Sequence, residues 1–164
     1  MLPTIEALDH RDRAVAGRIH AIQLAAYTQE ARLLGVADFP PLRQTLEHIL
    51  GSEETFLGAF VDGALAGVAA VEQTHEAQAG CISSLVVIPA LQRRGVASAL
   101  LLEVLRRFGS QALVVSTAAR NHPALALYGR FGFAESDRRF AGSLELVQLR
   151  RATMPPGPDR KESS

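Results

Sequence analysis

At 164 residues the chain is long enough for one domain with a sizeable core and too short for two ordinary domains. Its 48% hydrophobic and 21% charged residues are typical of a globular protein, and a formal net charge of zero excludes the global positive field used by nucleic-acid-binding proteins. The single cysteine, Cys81, excludes an intrachain disulfide and a cysteine-cluster metal site, so we predict no metal.

The start of the chain has neither the charged beginning nor the apolar core of a signal peptide, and no apolar run reaches the roughly 18 residues that a membrane helix needs. We therefore predict a soluble, cytoplasmic protein with no membrane or nucleic-acid partner. Residues 1–151 are expected to form one domain, whereas the proline-rich, polar tail at 152–164 predicts disorder.

The first part of the chain predicts a strand followed by two helices. Residues 2–7 are typical of a strand, and from Asp12 onward apolar residues recur at helical spacing and predict a long amphipathic helix. The Pro40-Pro41 pair ends that pattern, and a second, short helix is expected to end near Gly51. The prediction of the long helix is based on the apolar residues Ala14, Val15, Ile19, Ile22, Leu24, Ala25 and Leu33.

The middle of the chain changes to strands. Residues 55–61 and 64–72 are apolar runs on either side of Asp62-Gly63, a pair that predicts a tight hairpin because glycine accepts a positive φ. Residues 81–88 predict a further strand, antiparallel to the one before it.

The remaining elements alternate between helix and strand. Residues 91–108 predict a helix that ends at Gly109, and the buried run at 112–118 is then expected to lie parallel to the strand before the helix. Residues 121–130 predict a helix capped by Asn121, and a closing hairpin turns around Ala141-Gly142. The order predicts an α/β fold with a mixed, mostly antiparallel sheet and a central parallel strand pair flanked by helices.

The turn before the helix at 91–108 has the features of an anion site. The first N–H groups of a helix have no partner within it, and the helix dipole is positive at that end. Gly95 has no side chain where a phosphate would lie, and Ala97 keeps the next turn narrow. Arg93 and Arg94 can reach the same anion, and Ser98 adds a hydroxyl group. We interpret the turn as a site for a diphosphate.

The alternative for this turn is an ordinary helix start with two solvated arginines. The turn is not a Walker A loop, which needs lysine followed by serine or threonine, and its single glycine does not match the three-glycine dinucleotide fingerprint. An α/β protein that binds some other phosphate ligand therefore remains a candidate at this point.

The surroundings of the turn resemble the GNAT family of N-acetyltransferases. The family turn reads Gln/Arg-x-x-Gly-x-Gly/Ala, which Gln92, Gly95 and Ala97 match, and the segment "NHPALALYGRFGF" (121–133) follows at the expected distance. The downstream matches are Ala124, Leu127 and Tyr128. The resemblance is close over residues 83–133 and loose, in element order, over 1–150.

This resemblance implies that acetyl-CoA binds between the two parallel strands and serves as acetyl donor. Backbone groups of Leu85, Val86 and Val87 would pair with the pantetheine arm, and the N–H of Val86 or Val87 would polarise the thioester carbonyl. Asn121 would also contact the arm, in addition to capping its helix. The residues implied for the pyrophosphate are Gln92, Arg93, Arg94, Gly95, Val96, Ala97 and Ser98.

The resemblance also implies transfer of the acetyl group to a primary amine by direct attack in a ternary complex, with Tyr128 as the general acid. The general base is less well defined: Glu72 is the candidate on the third predicted strand, with His75 and Glu76 beyond it, and a water relay through Ser83 or Ser84 is an alternative. A lone strand cysteine such as Cys81 is interpreted as core rather than as an acetyl carrier.

The acceptor is expected to be a small-molecule amine or the amine of a peptide or protein, without a pattern that selects between them. A homodimer is compatible with the sequence. A module of the same fold that binds acetyl-CoA or CoA but has lost its chemistry, as a regulatory or scaffold protein, is the alternative that the missing base suggests.

Overall fold

A computed structural model describes residues 2–74 and 79–153 of the chain. The predicted disorder of the tail falls almost wholly outside these residues, as do His75 and Glu76. The described residues form one seven-stranded sheet in the order β1-β2-β3-β4-β5-β7-β6. Its strands are β1 (Thr4–Ala7), β2 (Thr55–Val61), β3 (Ala64–Thr74), β4 (Ala79–Val87), β5 (Ala112–Ala118), β6 (Ala134–Ala141) and β7 (Leu144–Arg151).

One neighbouring pair in this sheet is parallel and the other five are antiparallel. β4 and β5 run parallel, with Ala79 opposite Ala112 and Ile82 opposite Val115. A helix connects them, as a parallel pair requires. The predicted fold class, a mixed sheet with a central parallel pair, is confirmed.

The hairpin at Asp62-Gly63 is also present, and both residues have positive φ, 52° and 80°. Positive φ at both central residues is the geometry of the two-residue turn that matches the twist of the flanking strands. The closing hairpin joins β6 and β7 at the predicted place, and β7 rather than β6 lies beside β5.

Within the same described residues, four α-helices flank the sheet: α1 (Arg13–Leu34), α2 (Leu46–Leu50), α3 (Val96–Phe108) and α4 (His122–Arg130). α1 and α2 cover one face, where Ile19 and Ile49 pack with Phe56, Val68 and Val86. α3 and α4 cover the other face. Alternate residues of the central strands contribute to the two cores, as the pleat of a strand dictates.

α3 begins five residues later than the predicted helix. Residues Pro89–Leu91 form one 3₁₀ turn, and the chain then passes through positive φ at Arg93 (63°) and Gly95 (82°) before the α-helix starts at Val96. Residues in the left-handed region cannot belong to a right-handed helix. The segment between β4 and α3 is therefore a shaped turn rather than an early helical turn.

Candidate active site

The sheet is split between β4 and β5. The two strands pair only as far as Ile82 and Val115, and beyond those residues a cavity of about 280 Å³ opens between them. Ser83, Ser84 and Leu85 line it from β4. Ser116, Thr117 and Ala118 line it from β5.

A bulge in β4 accompanies the split. Ala70 of β3 lies opposite Ser84 whereas Val71 lies opposite Ile82, so Ser83 is the extra residue in β4. Its single hydroxyl proton is shared between the carboxylate of Glu54 and the carbonyl of Ala70, whose oxygen lies 3.2 Å from Oγ. Bulges bend a strand and increase its twist locally, which is consistent with the departure of β4 from β5.

The backbone of β4 beyond the bulge presents an open edge toward the split. The N–H of Ile88 pairs with the carbonyl of Ala66, so by alternation the N–H and C=O of Val87 point away from β3. The carbonyl of Val87 accepts a bond from Gln92 instead. Leu85 has the same parity as Val87, whereas Val86 directs its backbone groups to β3. Of the three predicted pantetheine contacts, Leu85 and Val87 thus face the split.

The turn before α3 is held by the side chain of Gln92. Its Nε2 donates to the carbonyl of Val87 at 3.1 Å and to Oε1 of Gln29 on α1 at 2.7 Å. Arg93 and Arg94 are exposed. Gln92 therefore shapes the turn, and the two arginines extend from it into solvent.

α3 differs from the other three described helices at its N-terminus. Side-chain oxygens of Asp12, Thr45 and Asn121 cap α1, α2 and α4, but the residue before α3 is Gly95, which has no side chain. The amides of Val96, Ala97 and Ser98 accordingly have no side-chain cap among the described residues. Uncapped amides at the positive end of a helix are the arrangement that binds anions.

Tyr128 on α4 lies in the cleft. The residue is 5% exposed, its ring meets that of Phe133 edge-on at 5.4 Å between centroids, and it lines the cavity. Burial raises the pKa of the Tyr128 hydroxyl well above its usual range, and the nearby Tyr27, Glu30 and Cys81 raise it further. This hydroxyl therefore stays protonated and can act as a proton donor.

Two polar residues of α1, Tyr27 and Glu30, line the same cleft from the face of the sheet opposite to α4. The hydroxyl of Tyr27 lies 2.7 Å from Oγ of Ser84, to which Gln23 also donates at 3.2 Å. Burial raises the pKa of Tyr27 to about 12. Glu30, one turn further along α1, accepts a bond on Oε1 from the amide of Asn121 at 3.0 Å. Burial raises the pKa of Glu30 as well, against the lowering effect of that bond.

The predicted site residues do not all meet. Tyr128, Asn121 and Leu85 line the cleft, but Glu72 is an exposed residue of β3 outside its lining. Glu72 lies opposite Cys81, and burial together with Glu72 and Glu54 raises the pKa of that thiol. A protonated, half-buried thiol is consistent with its interpretation as a structural residue.

The residues that sequence reasoning missed are those of α1. Gln23, Tyr27 and Glu30 continue the buried face of Ile19 at spacings of four, four and three residues, so they follow the core-facing stripe of the helix. Polar residues at core-facing helical positions were the available signal. Leu24 and Leu33, which the sequence predicts on the apolar face of this helix, are instead 47% and 80% exposed.

No cluster of three or more potential metal ligands occurs among residues 2–74 and 79–153. Over the same residues, no helix is long and apolar enough to cross a membrane.

The chain belongs to the GNAT acetyltransferase family. The family model described as "Acetyltransferase (GNAT) family" matches residues 18–133, which include the turn, the split and Tyr128. The predicted resemblance is thereby confirmed. A curated relative from Bacillus subtilis (strain 168), described as "UPF0157 protein YqkA", is 34% identical over 134 residues. That match takes in 81% of this chain, which spans only 38% of the relative's length.

Solved structures share the fold. The ribosomal-protein-S18-alanine N-acetyltransferase of Escherichia coli superposes with a TM-score of 0.74 at 18% identity, over 96% of this chain and 98% of the other. YncA of Salmonella typhimurium, a putative acetyltransferase solved with acetyl-CoA, gives 0.71 at 19% identity over 98% and 99%. PaiA N-acetyltransferase of Thermoplasma acidophilum, solved with coenzyme A, gives 0.70 at 18% identity over 90% and 98%.

Proposed function

We propose that this protein is an acetyl-CoA-dependent N-acetyltransferase that transfers the acetyl group to a primary amine by direct attack in a ternary complex. The observation that carries the proposal is the combination of a split parallel pair with an uncapped helix at the end of the same strand. Family membership supports acyl transfer, and two relatives of the same fold were solved with acetyl-CoA or coenzyme A.

The residues present fit the pyrophosphate of acetyl-CoA. The amides of Val96, Ala97 and Ser98 would hold it, because they lack a cap and lie at the positive end of α3. Gly95 leaves the approach open, since an added Cβ there would meet no heavy atom within 4 Å. The exposed guanidinium groups of Arg93 and Arg94 would add charge-assisted contacts.

The open edge of β4 fits the pantetheine arm. An extended chain with amide groups can pair with Leu85 and Val87 as an added strand would. The second wall of the cleft is supplied by β5 and the start of α4. Asn121 lies at that wall, and we propose it as a contact to the arm.

When bound, acetyl-CoA supplies an activated thioester, and the chain has to deliver a proton to the departing sulfur. Tyr128 fits this role because its buried hydroxyl is protonated and belongs to the cleft. Cys81 is not needed as an acetyl carrier.

Calorimetry with acetyl-CoA and a thiol-release assay across a panel of amines test the proposal. Saturable acetyl-CoA binding together with amine-dependent thiol release is expected. Binding and thermal stabilisation without acetylation of any amine or peptide would show a CoA-binding module instead. If another nucleotide binds and acetyl-CoA does not bind at millimolar concentration, acetyl-CoA is not the donor and the enzyme assignment is wrong.

A further inference from the structure

Glu30 is the only charged residue that lines the cleft in the part of the chain that the structure describes. The other polar groups in the lining are hydroxyls of serine, threonine and tyrosine and the amide of Asn121. The cleft therefore carries one negative charge and has no lysine, arginine or histidine in its described lining. A cationic ligand has one partner there, and an anionic ligand has none.

Two apolar segments also line the cleft that contains Glu30. Phe39, Pro40 and Pro41, in the connection from α1 to α2, form one of them. The β6–β7 hairpin forms the other, with Ala141, Leu144 and Leu146. A ligand that places a cation beside Glu30 therefore finds apolar surface within the same cleft for the rest of its body.

We propose that Glu30 binds the ammonium group of the acceptor and accepts its proton, and that the acceptor is an amine with one positive charge, an apolar body and no carboxylate beside the amine. This inference rests on the proposed function and deepens it, because it names the acceptor class and the base of that reaction.

The position of Glu30 suits this role. Asn121 fixes Oε1 by a hydrogen bond of 3.0 Å, while Oε2 accepts no hydrogen bond within the described residues. The titratable groups that face Glu30 are Tyr27 from its own helix and Tyr128 from α4, and both are protonated at neutral pH. The raised pKa of Glu30 makes it a stronger base than an exposed glutamate.

The step balances with the residues in the cleft. Glu30 takes one proton from the ammonium, and the lone pair of the neutral amine forms a C–N bond to the acetyl carbonyl carbon while the C–S bond breaks. The electron pair of that bond goes to sulfur, which takes the proton of the Tyr128 hydroxyl. The nitrogen gives its second proton back to Tyr128, and Glu30 releases its proton to solvent. The products are the N-acetylated amine, the free thiol of coenzyme A and one proton.

Matched amines test the acceptor class with the full-length chain and acetyl-CoA. 2-Phenylethylamine is expected to exceed L-phenylalanine in kcat/KM by about tenfold or more, because the extra carboxylate would be buried without a cation. L-Phenylalaninamide, which removes that charge from the same body, is expected to recover the loss. Hexylamine is expected to exceed 1,6-diaminohexane in kcat/KM by about tenfold for the same reason, since the second ammonium finds no second carboxylate in the described lining of the cleft.

Glu30→Gln tests the base, with Glu47→Gln as the matched control. Glu47 is exposed on α2, and among the residues that the structure describes its side chain pairs with Arg13 alone, at 3.5 Å. Glu30→Gln is expected to lower kcat/KM by about 100-fold and to abolish the acid limb of its pH profile, with the acetyl-CoA dissociation constant unchanged. Glu47→Gln is expected to leave all three unchanged.

Several results would overturn this inference while the proposed function stands. Equal kcat/KM for the two amines of either pair would contradict the proposed acceptor class. Acetyl-CoA binding without turnover of any of these amines would contradict it as well. Loss of activity in Glu72→Gln but not in Glu30→Gln would assign the base to β3. A wild-type chain that neither binds acetyl-CoA nor releases thiol would remove the proposed function itself.

Discussion

The side-chain amide of Asn121 donates a hydrogen bond of 3.0 Å to Oε1 of Glu30, and this bond joins the start of α4 to α1 across the cleft that both residues line. The same side chain accepts a bond on Oδ1 from the amide of Ala124 at 3.2 Å, as the cap of α4. One asparagine thus caps the start of a helix and orients a carboxylate. Its two roles can be separated by experiment.

Asn121→Ala is expected to cost about 1 kcal/mol of folding stability through the lost cap. It also removes the hydrogen bond that lowers the pKa of Glu30, so that pKa rises further. The acid limb of the kcat/KM profile should then move to higher pH, measured at saturating acetyl-CoA because Asn121 is also a proposed contact to the pantetheine arm.

Thr45→Ala is the control for the cap alone. Thr45 caps α2 with its own side chain and does not line the cleft, so the variant should lose similar stability and keep the pH profile of the wild type. An unmoved acid limb in Asn121→Ala, beside a normal loss of stability, would reduce Asn121 to a helix cap.

The fold could be predicted from the sequence because its signals are local. Asp62-Gly63 sets a hairpin, and the helix between β4 and β5 requires those strands to be parallel. The end of α1 lies earlier than Pro40-Pro41 predict, because the helix stops at Leu34 with the left-handed Gly35 as its cap. The break before α3 was equally accessible, since Gly95 is a residue type that accepts the positive φ found there. The start of α3 at Val96 rather than at Leu91 could not be predicted. The left-handed φ of Arg93, which keeps the preceding residues out of the helix, has no sequence signal of its own.

The cleft carboxylate could not be found in the same way. Glu30 is 91 residues from Asn121 in sequence and belongs to no short motif, so only tertiary packing brings the two together. The sequence favours Glu72 because it lies at the end of the third predicted strand, within plausible reach of the site. In the structure it is exposed on β3, whereas the polar residues of α1 reach the cleft through the split in the sheet.

Tyr128→Phe is expected to lower kcat by about 100-fold or more, because it removes the proton donor for the departing sulfur. The ring and its edge-on contact with Phe133 are kept, so thermal stability and the acetyl-CoA dissociation constant should change little. Steady-state thiol release measures kcat, thermal unfolding measures stability, and titration calorimetry measures the acetyl-CoA dissociation constant. Turnover equal to that of the wild type would exclude Tyr128 from the mechanism.

Gly95→Ala and Gly63→Ala form a matched pair of variants that test the turn before α3 as the proposed pyrophosphate site. Both glycines have positive φ, 82° and 80°, and an added Cβ meets no heavy atom within 4 Å at either place. Each substitution should therefore cost about 1 kcal/mol for a left-handed alanine. Only Gly95→Ala should weaken acetyl-CoA binding, by about tenfold, the equivalent of one lost hydrogen bond.

Calorimetry and urea unfolding measure both effects in each variant. Equal acetyl-CoA affinity in the two variants would mean that the amides after Gly95 do not hold the pyrophosphate. A loss confined to Gly63→Ala would place the ligand near the β2–β3 hairpin instead.

Glu30→Gln is expected to stabilise the fold at neutral pH while it lowers activity. Burial raises the pKa of Glu30 in the folded chain above its value of 4.5 in the unfolded chain. As pH rises from 4.5 toward the folded pKa, the unfolded state therefore loses its proton first, and wild-type stability falls through that window. Glutamine does not ionise, and its Oε1 can still accept the hydrogen bond from Asn121. The melting temperature of Glu30→Gln relative to the wild type should thus increase between pH 4.5 and neutrality, whereas Glu47→Gln should show no such trend. A difference that stays constant across that window would mean that Glu30 keeps an ordinary pKa, and the stronger base expected in the cleft would be absent.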